Sequence, residues 1–337
     1  MQDLKKYFPM LKKATTRNNI PFYGKLMLFT ENEVQTCNNV IHTKVNYKTG
    51  LEGCVDFFAF EKVINSLSPE AKIEQDDTII KIEDGKAKYG ILTDDIEFPK
   101  IPAGERNVVE LDGSLLSSLN TAKNYTAKED TIQSHPYIYL SDSEIVAVSS
   151  NNSSAYLKFI DIDLPSPIPV SKEALAFAHV GDRIGIVKNE DENNFIFISQ
   201  NAIMIFSGRA NIRSSFPVDE LKSFITKNKS NFRKVDNILP IINAVKQVST
   251  LLVNEKNPVV HLKIDKKKMD ISAETSLTGR ASVGLDIHTD IKMELKINPN
   301  LLNNIPIDYD LYVDVTSNSR VVLQSEDSFI LLSCKES

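Results

Sequence analysis

The chain has 337 residues, of which 42% are hydrophobic and 25% charged, with a formal net charge of −6. These proportions supply enough apolar material for several cores, while the acidic balance excludes a protein coated in cations. No stretch approaches the roughly 18 apolar residues of a membrane-spanning helix, residues 1–6 lack the apolar run of a signal peptide, and three scattered cysteines make neither a disulfide framework nor a zinc site.

In chain order, a small polar residue precedes an apolar, helix-periodic stretch at Asp3, Asp56, Asp112, Ser171, Asp236 and Asn298, and alternating strands follow each. Intervals of roughly 53 to 65 residues mark one supersecondary unit used six times. Each opening side chain can cap a first helical turn. The first helix, within 4–13, either begins at Pro9 or is kinked by it. The second carries the stripe Phe60, Ile64 and Leu67, and is followed by a hairpin turning at Asp84-Gly85 into 87–92. The third carries Leu115, Leu119 and Ala122; the fourth Ala174, Leu175 and Ala178. Strands 194–198 and 202–206 come next, around a short polar turn. The fifth helix carries Ile238, Ile241, Val245 and Val248, with a hairpin turning at 265–268 after it. The sixth, Asn298-Pro299-Asn300-Leu301-Leu302, is a brief helix before strands near 311–315, 321–323 and 329–332. Antiparallel sheets with helices on one side are the expected outcome, an α+β fold. Proline-bearing joints at Phe98-Pro99, Leu164-Pro165 and Phe216-Pro217 group the units in pairs, giving domains at 1–103, 104–217 and 218–337.

No catalytic constellation stands out, and neither a cofactor nor a metal is expected. The five histidines are isolated, and acid pairs such as Asp94-Asp95 fall in turns. Gly181-Asp182-Arg183-Ile184-Gly185 follows a helix and lacks the Lys-Ser/Thr ending of a phosphate loop. Positive charge is unevenly placed instead. Lys5, Lys6, Lys12, Lys13 and Arg17 stand against Asp3 alone, and Lys222 to Lys246 is similarly basic. Helices two to four carry Lys62, Lys123 and Lys172. If the helices share one surface, that surface meets a polyanion.

Several segments resemble the bacterial DNA polymerase III beta subunit, the sliding clamp. Arg17-Asn18-Asn19-Ile20-Pro21-Phe22-Tyr23-Gly24-Lys25-Leu26 is similar to the Arg-x-x-Leu-Pro-Ile-Leu-x-x-Leu loop after the first clamp helix. Glu97-Phe98-Pro99 and Ser215-Phe216-Pro217 resemble the Phe-Pro that closes the first two domains, and Thr250 to Lys256 resembles a segment ending in Asn-Glu-Lys.

The resemblance implies a three-domain DNA-clamp fold, two helix-plus-sheet units per domain, with two chains joined head to tail in a closed ring around duplex DNA. It implies no enzyme, but a cytoplasmic accessory that tethers a DNA polymerase, with a clamp loader as a further partner. It places Arg17, Lys128 and Arg209 near the channel; Lys12, Lys13, Lys62, Lys123, Lys172 and Lys246 join them as basic residues of lining helices. It places the dimer joint at Tyr89 and Ile91 against Leu251 and Leu252, through paired edge strands. The partner-peptide groove falls at Ser150, Asn152, Ser153, Ser154, Ala155, Leu157, Pro217 and Leu221, with Ile330, Leu331, Leu332, Ser333 and Cys334. Strand alternation puts Leu331 opposite in sense to Ile330 and Leu332. The family's Thr-Asp-Gly-His-Arg-Leu strand is replaced by 150–155 and its Met-Pro-Met ending by 332–334, as in a clamp encoded by a bacteriophage. The alternative is a β-rich virion or assembly protein that forms rings without DNA.

Overall fold

The computed structural model describes residues 2–17, 22–101, 106–127, 136–149, 154–188, 193–207, 216–256, 258–275, 279–302, 305, 308–316 and 320–334. A 3-10 turn, Gln2–Tyr7, leads into α1, Phe8–Lys13, with Pro9 in its first turn where no donor is needed. Strands β1 Leu26–Phe29, β2 Glu33–Cys37, β3 Ile41–Asn46 and β4 Gly53–Asp56 precede α2, Phe57–Ser66. Then come β5 Lys72–Asp76, β6 Ile79–Asp84, β7 Ala87–Leu92, β8 Arg106–Glu110 and α3 Gly113–Ala122. The middle of the chain holds β9 Tyr137–Leu140, β10 Glu144–Val148, β11 Ser154–Phe159, β12 Ile168–Ser171 and α4 Lys172–Leu175. Next are β13 Arg183–Lys188, β14 Asn193–Ile198, β15 Ala202–Phe206 and α5 Val218–Asn228. Finally there are β16 Phe232–Asn237, α6 Ile238–Ser249, β17 Val260–Asp265, β18 Lys268–Thr275, β19 Gly279–Asp286, β20 Lys292–Ile297, β21 Asp310–Asp314, β22 Arg320–Gln324 and β23 Ser328–Ser333.

The chain divides into two compact units, Met1–Leu116 with Ile168–Ile212 and Ser117–Pro167 with Arg213–Ser337. In the first, one antiparallel sheet has the order β4-β1-β2-β3-β15-β14-β13-β8 and a second the order β5-β6-β7. Helices α1 and α2 close over the larger sheet through edge-to-face rings, Phe8 on Phe57 at 6.0 Å and Phe60 on Phe29 at 5.1 Å. The buried Thr36 hydroxyl donates to Leu11 O at 2.8 Å, satisfying a carbonyl at the end of α1. The second unit contains the run β9-β10-β11-β23-β22-β21-β16 and the sheet β19-β18-β17-β20, whose apolar face meets Ile238, Ile241, Val245 and Val248 of α6.

The caps follow chemistry closely. Asp56 Oδ1 accepts from Ala59 N at 2.9 Å and Asp112 Oδ1 from Leu115 N at 2.6 Å. Asp56→Ala should therefore cost about 1 kcal/mol, seen as a shifted denaturation midpoint with an unchanged slope. Three caps differ from expectation: Asp3 lies inside the opening 3-10 turn, and α1 follows Tyr7 with no side-chain cap. Ser171 turns its hydroxyl to Glu173 and caps nothing, leaving α4 a single turn. The fifth helix is capped by Asn237, because Asp236 is held by the His288 backbone N–H and ring.

The phosphate-loop lookalike is structural. Gly181 sits at φ +91°, and on β13 a Cβ at Gly185 would lie 1.8 Å from Asn107 O of β8.

Candidate nucleic-acid and partner interfaces

At the end of α1, the exposed Arg17 guanidinium lies 5.4 Å from the Phe58 ring centroid on α2. Lys12 reaches the next turn of α2, with both Glu61 oxygens within 3.0 Å. Phe58, Glu61 and the exposed Lys62 follow one another at helical spacing, so the structure gathers Lys12, Arg17 and Lys62 along one strip. Lys13 is exposed beside it. Glu61 neutralises Lys12, leaving Arg17, Lys13 and Lys62 as that strip's cations. Elsewhere Lys123 donates to Asn120 Oδ1 at 3.0 Å, Lys172 is half-buried and Lys246 projects from the exposed side of α6. Lys128 and Arg209 lie outside the described residues.

The sequence-expected groove falls on the pairing of β11 with β23, where Ala155 lies opposite Leu331, Leu157 opposite Phe329 and Ser154 opposite Leu332. Ile330 and Leu332 are fully buried on one face, together with Tyr156. That face is polar at its heart. Tyr156 stacks on Tyr125 at 6.0 Å and hydrogen-bonds Tyr309 and Ser118; Tyr309 bonds Ser328, which lies 2.6 Å from Ser325 Oγ. Burial raises all three tyrosine pKa values, so the hydroxyls stay protonated and available to hydrogen-bond. Leu331 and Ser333 are half-buried on the other face, while Cys334 beyond them is buried, its thiol pushed up to about 12 by desolvation.

Helix α5 crosses this second face. Lys222 Nζ donates to Glu144 Oε2 on β10 at 2.7 Å, and Phe224 lies under the Arg320 guanidinium from β22, 4.4 Å from the ring centroid. These anchors bracket the β11–β23 seam, and Leu221 and Ile225, one turn apart, are each 8% exposed. Before α5, Phe216 stacks on Tyr137 and Tyr139 at 5.5 and 5.6 Å, fixing Pro217 at the helix start. Ala155 and Leu157 are accordingly buried. Ser150, Asn152 and Ser153 lie outside the described residues. Sequence reasoning missed α5, although Asp219 and Glu220 in its first turn and the Leu221/Ile225 spacing announced it.

Among the strands that end sheets in the described residues are β7 and β19. β7 ends its three-stranded sheet with Tyr89 38% exposed and Ile91 half-buried beside it. β19 ends the four-stranded sheet; its Ala281, Val283 and Leu285 are half-buried and alternate with exposed residues. Leu251 is half-buried, and Leu252 is turned into the core of its own unit.

His42 on β3 is strongly set by its surroundings. It is 4% exposed, its Nε2 lies 3.0 Å from Gln35 Oε1, and burial, then the Lys44 charge, lowers its pKa from 6.5 to about 4. A neutral native histidine that gains a proton on unfolding contributes stability above pH 6.5, lost as pH falls toward 4. The slope should be about 1.4 kcal/mol per pH unit, about 3 kcal/mol in all. Denaturation at pH 7 and pH 4.5 checks this: His42→Gln should shrink the difference, and an equal difference in both proteins would refute it.

Among the described residues no cluster of three or more His, Cys, Asp or Glu could hold a metal ion, and no helix is long and apolar enough to cross a membrane. In the first unit a cleft of about 760 Å³ opens between Lys6, Tyr7 and Met10 and the 176–182 and 199–201 loops.

No protein-family model and no curated protein matches the sequence. Solved structures do. A putative DNA polymerase III beta subunit from Eubacterium rectale superposes with a TM-score of 0.78 at 15% identity, covering 100% of this chain and 98% of that one. The DNA polymerase sliding clamp of Bacillus subtilis gives 0.76 at 15% identity, over 100% and 97% of the two chains. The beta sliding clamp of C. crescentus gives 0.76 at 13%, over 99% and 96%. Helix-backed antiparallel sheets repeated along the whole chain, matched end to end by these proteins at low identity, establish that the chain has the fold of the DNA polymerase III beta sliding clamp, as a divergent representative of it.

Proposed function

We propose that this protein is a DNA sliding clamp, a non-catalytic processivity factor that closes with a second copy into a ring around duplex DNA and tethers a DNA polymerase. The observation that carries the reading is the end-to-end likeness of the fold to beta sliding clamps. The exposed cations at the end of α1 and on α2 and α6 support it. They form scattered, sequence-blind phosphate contacts, the kind a sliding ring uses. Tethering then raises the polymerase's local concentration without a new catalytic group.

Within this reading the domains run 1–103, 104–217 and 218–337, and the polymerase peptide docks on the half-exposed face around Leu331, Pro217 and α5. Since 150–155 lacks the family's His-Arg pair, the peptide depends on apolar anchors. A bacteriophage origin and action in the bacterial cytoplasm, with or without a clamp loader, belong to the same proposal. Retention after loading should distinguish nicked circular DNA, which holds the ring, from linear DNA, which lets it slide off; equal retention on both overturns the proposal.

A further inference from the structure

Ring closure and tethering give no task to the cleft of about 760 Å³ in the first unit, whose volume falls in the usual range for small-ligand sites. Its walls are fixed by backbone hydrogen bonds. In the 176–182 loop, Gly181 N donates to Leu111 O at 2.9 Å, and Leu111 N donates to Asp182 O at 2.8 Å. The 199–201 turn is tied to β3 by Asn46 N donating to Asn201 O at 2.8 Å. The cleft is therefore preformed, and a ligand need not organise it. Its lining combines Met10, Phe177 and Val180 with the amide residues Gln200 and Asn201. Val180 is 66% exposed, so it adds little to the core.

The charge around the cleft favours an anion carried on a polymer. Along the first helical segment the exposed residues are Asp3, Lys6, Pro9, Lys12 and Lys13, so Lys6 shares the face that presents Lys13. Lys6 thus extends the strip of Lys13, Arg17 and Lys62 as far as the cleft. Its ammonium, ion-paired with no carboxylate among the described residues, lies 5.1 Å from the ring centroid of Tyr7, which also lines the cleft. The carboxylate in the lining, Asp182, is already engaged. It is 8% exposed and accepts from His179 N at 2.8 Å, with the His179 ring Nδ1 3.7 Å away.

We propose that this cleft holds one unpaired nucleotide of a DNA strand, its phosphate at Lys6, its base against Phe177 and Val180, and the base edge toward the amides of Gln200 and Asn201. The inference extends the clamp reading and rests on it only for the presence of DNA. A strand whose phosphates follow Lys13 and Lys6 arrives at the cleft with its next base to place. In a duplex that base is stacked and paired, so a single-stranded stretch is what the cleft can take. An aromatic ring suits the face of any base, and amides suit its hydrogen-bonding edge. A bare anion would leave Met10, Phe177 and Val180 without a role. The protein should therefore prefer DNA with a single-stranded tail to blunt duplex.

The test measures binding of the full-length chain to a blunt duplex and to the same duplex carrying a single-stranded thymidine tail. The tail should raise affinity about tenfold, the scale of one base stacked on an aromatic ring. Phe177→Ala and Val180→Asp should each abolish that gain while leaving affinity for the blunt duplex nearly unchanged. Phe177 is half-buried, so should its variant fail to fold, the exposed Val180 decides. No gain from the tail in the native chain, or a gain kept by a folded Val180→Asp chain, overturns the proposal. A tail carrying 5-iodouracil should cross-link on irradiation to Tyr7 or to the 176–182 loop, and cross-links confined to the second unit overturn the placement. Excess thymidine monophosphate should displace the tail. Equal displacement by inorganic phosphate or by a polyglutamate peptide reduces the cleft to an unspecific anion site and overturns the proposal. Native protein retained on nicked circular DNA yet indifferent to the tail refutes this inference alone. Equal retention on nicked circular and linear DNA, with the tail gain intact, refutes the clamp reading and upholds the cleft.

Discussion

Arg17→Ala should weaken binding to duplex DNA about tenfold near 0.1 M salt, for every sequence alike, and flatten the log-log salt dependence by about 0.9. The guanidinium is exposed and rests on an aromatic face, which leaves its charge available to a phosphate. Lys13→Ala and Lys62→Ala should act similarly. Lys12→Ala should not, because its ammonium is already matched to Glu61 at 2.8 Å and would have to leave that carboxylate to reach DNA. The complementary change, Glu61→Gln, should strengthen binding and steepen the slope by releasing Lys12. Titrations on a short duplex at several salt concentrations measure all of these. An unchanged slope for Arg17→Ala, or equal losses for Lys12→Ala and Arg17→Ala, would place the DNA path elsewhere.

Leu332→Asp should destabilise the second unit by about 5 kcal/mol, combining a lost buried leucine with a carboxylate placed among apolar neighbours. Leu331→Asp, one residue away, should cost only about 1 kcal/mol, because Leu331 is half-buried on the opposite face. The same neighbour is the better probe of partner docking. Leu331→Asp should leave the chain folded and ring-forming while abolishing stimulation of its cognate polymerase. Ala155→Arg is a poorer test, since Ala155 is 5% exposed and an arginine there would displace α5 before it met any peptide. Normal stimulation by a folded Leu331→Asp chain would remove the peptide from this face.

The repeat was legible because its signals are local: a cap, an apolar stripe and period-two strands depend on neighbours a few residues apart. Asp56, Asp112 and the stripe of α6 behave as their spacing dictates. What the sequence concealed depends on tertiary competition. Ser171 loses its cap to Glu173, and Asp236 yields the cap to Asn237 because His288 arrives from far along the chain. The neutralisation of Lys12 by Glu61 joins two helices and cannot be read from either alone. Helix α5 was overlooked for a different reason. It falls between repeats, where a search tuned to the period treats amphipathic spacing as linker.

The pairings of β11 with β23 and of β3 with β15 have a temporal side. The outer edge of β11, whose other side pairs with β10, stays open until β23 exists, since Ser154 waits for Leu332, and that of β3, paired with β2, likewise waits for β15, with Ile41 opposite Phe206. At ordinary elongation rates each half-finished sheet is exposed at the ribosome for on the order of ten seconds, with an apolar strand edge and no mate. That interval invites pairing with a neighbouring nascent chain, and contacts of such high sequence separation also form slowly once both strands are present. Expression at lower temperature or with a holdase chaperone should therefore raise the soluble yield far more than stabilising any single helix would.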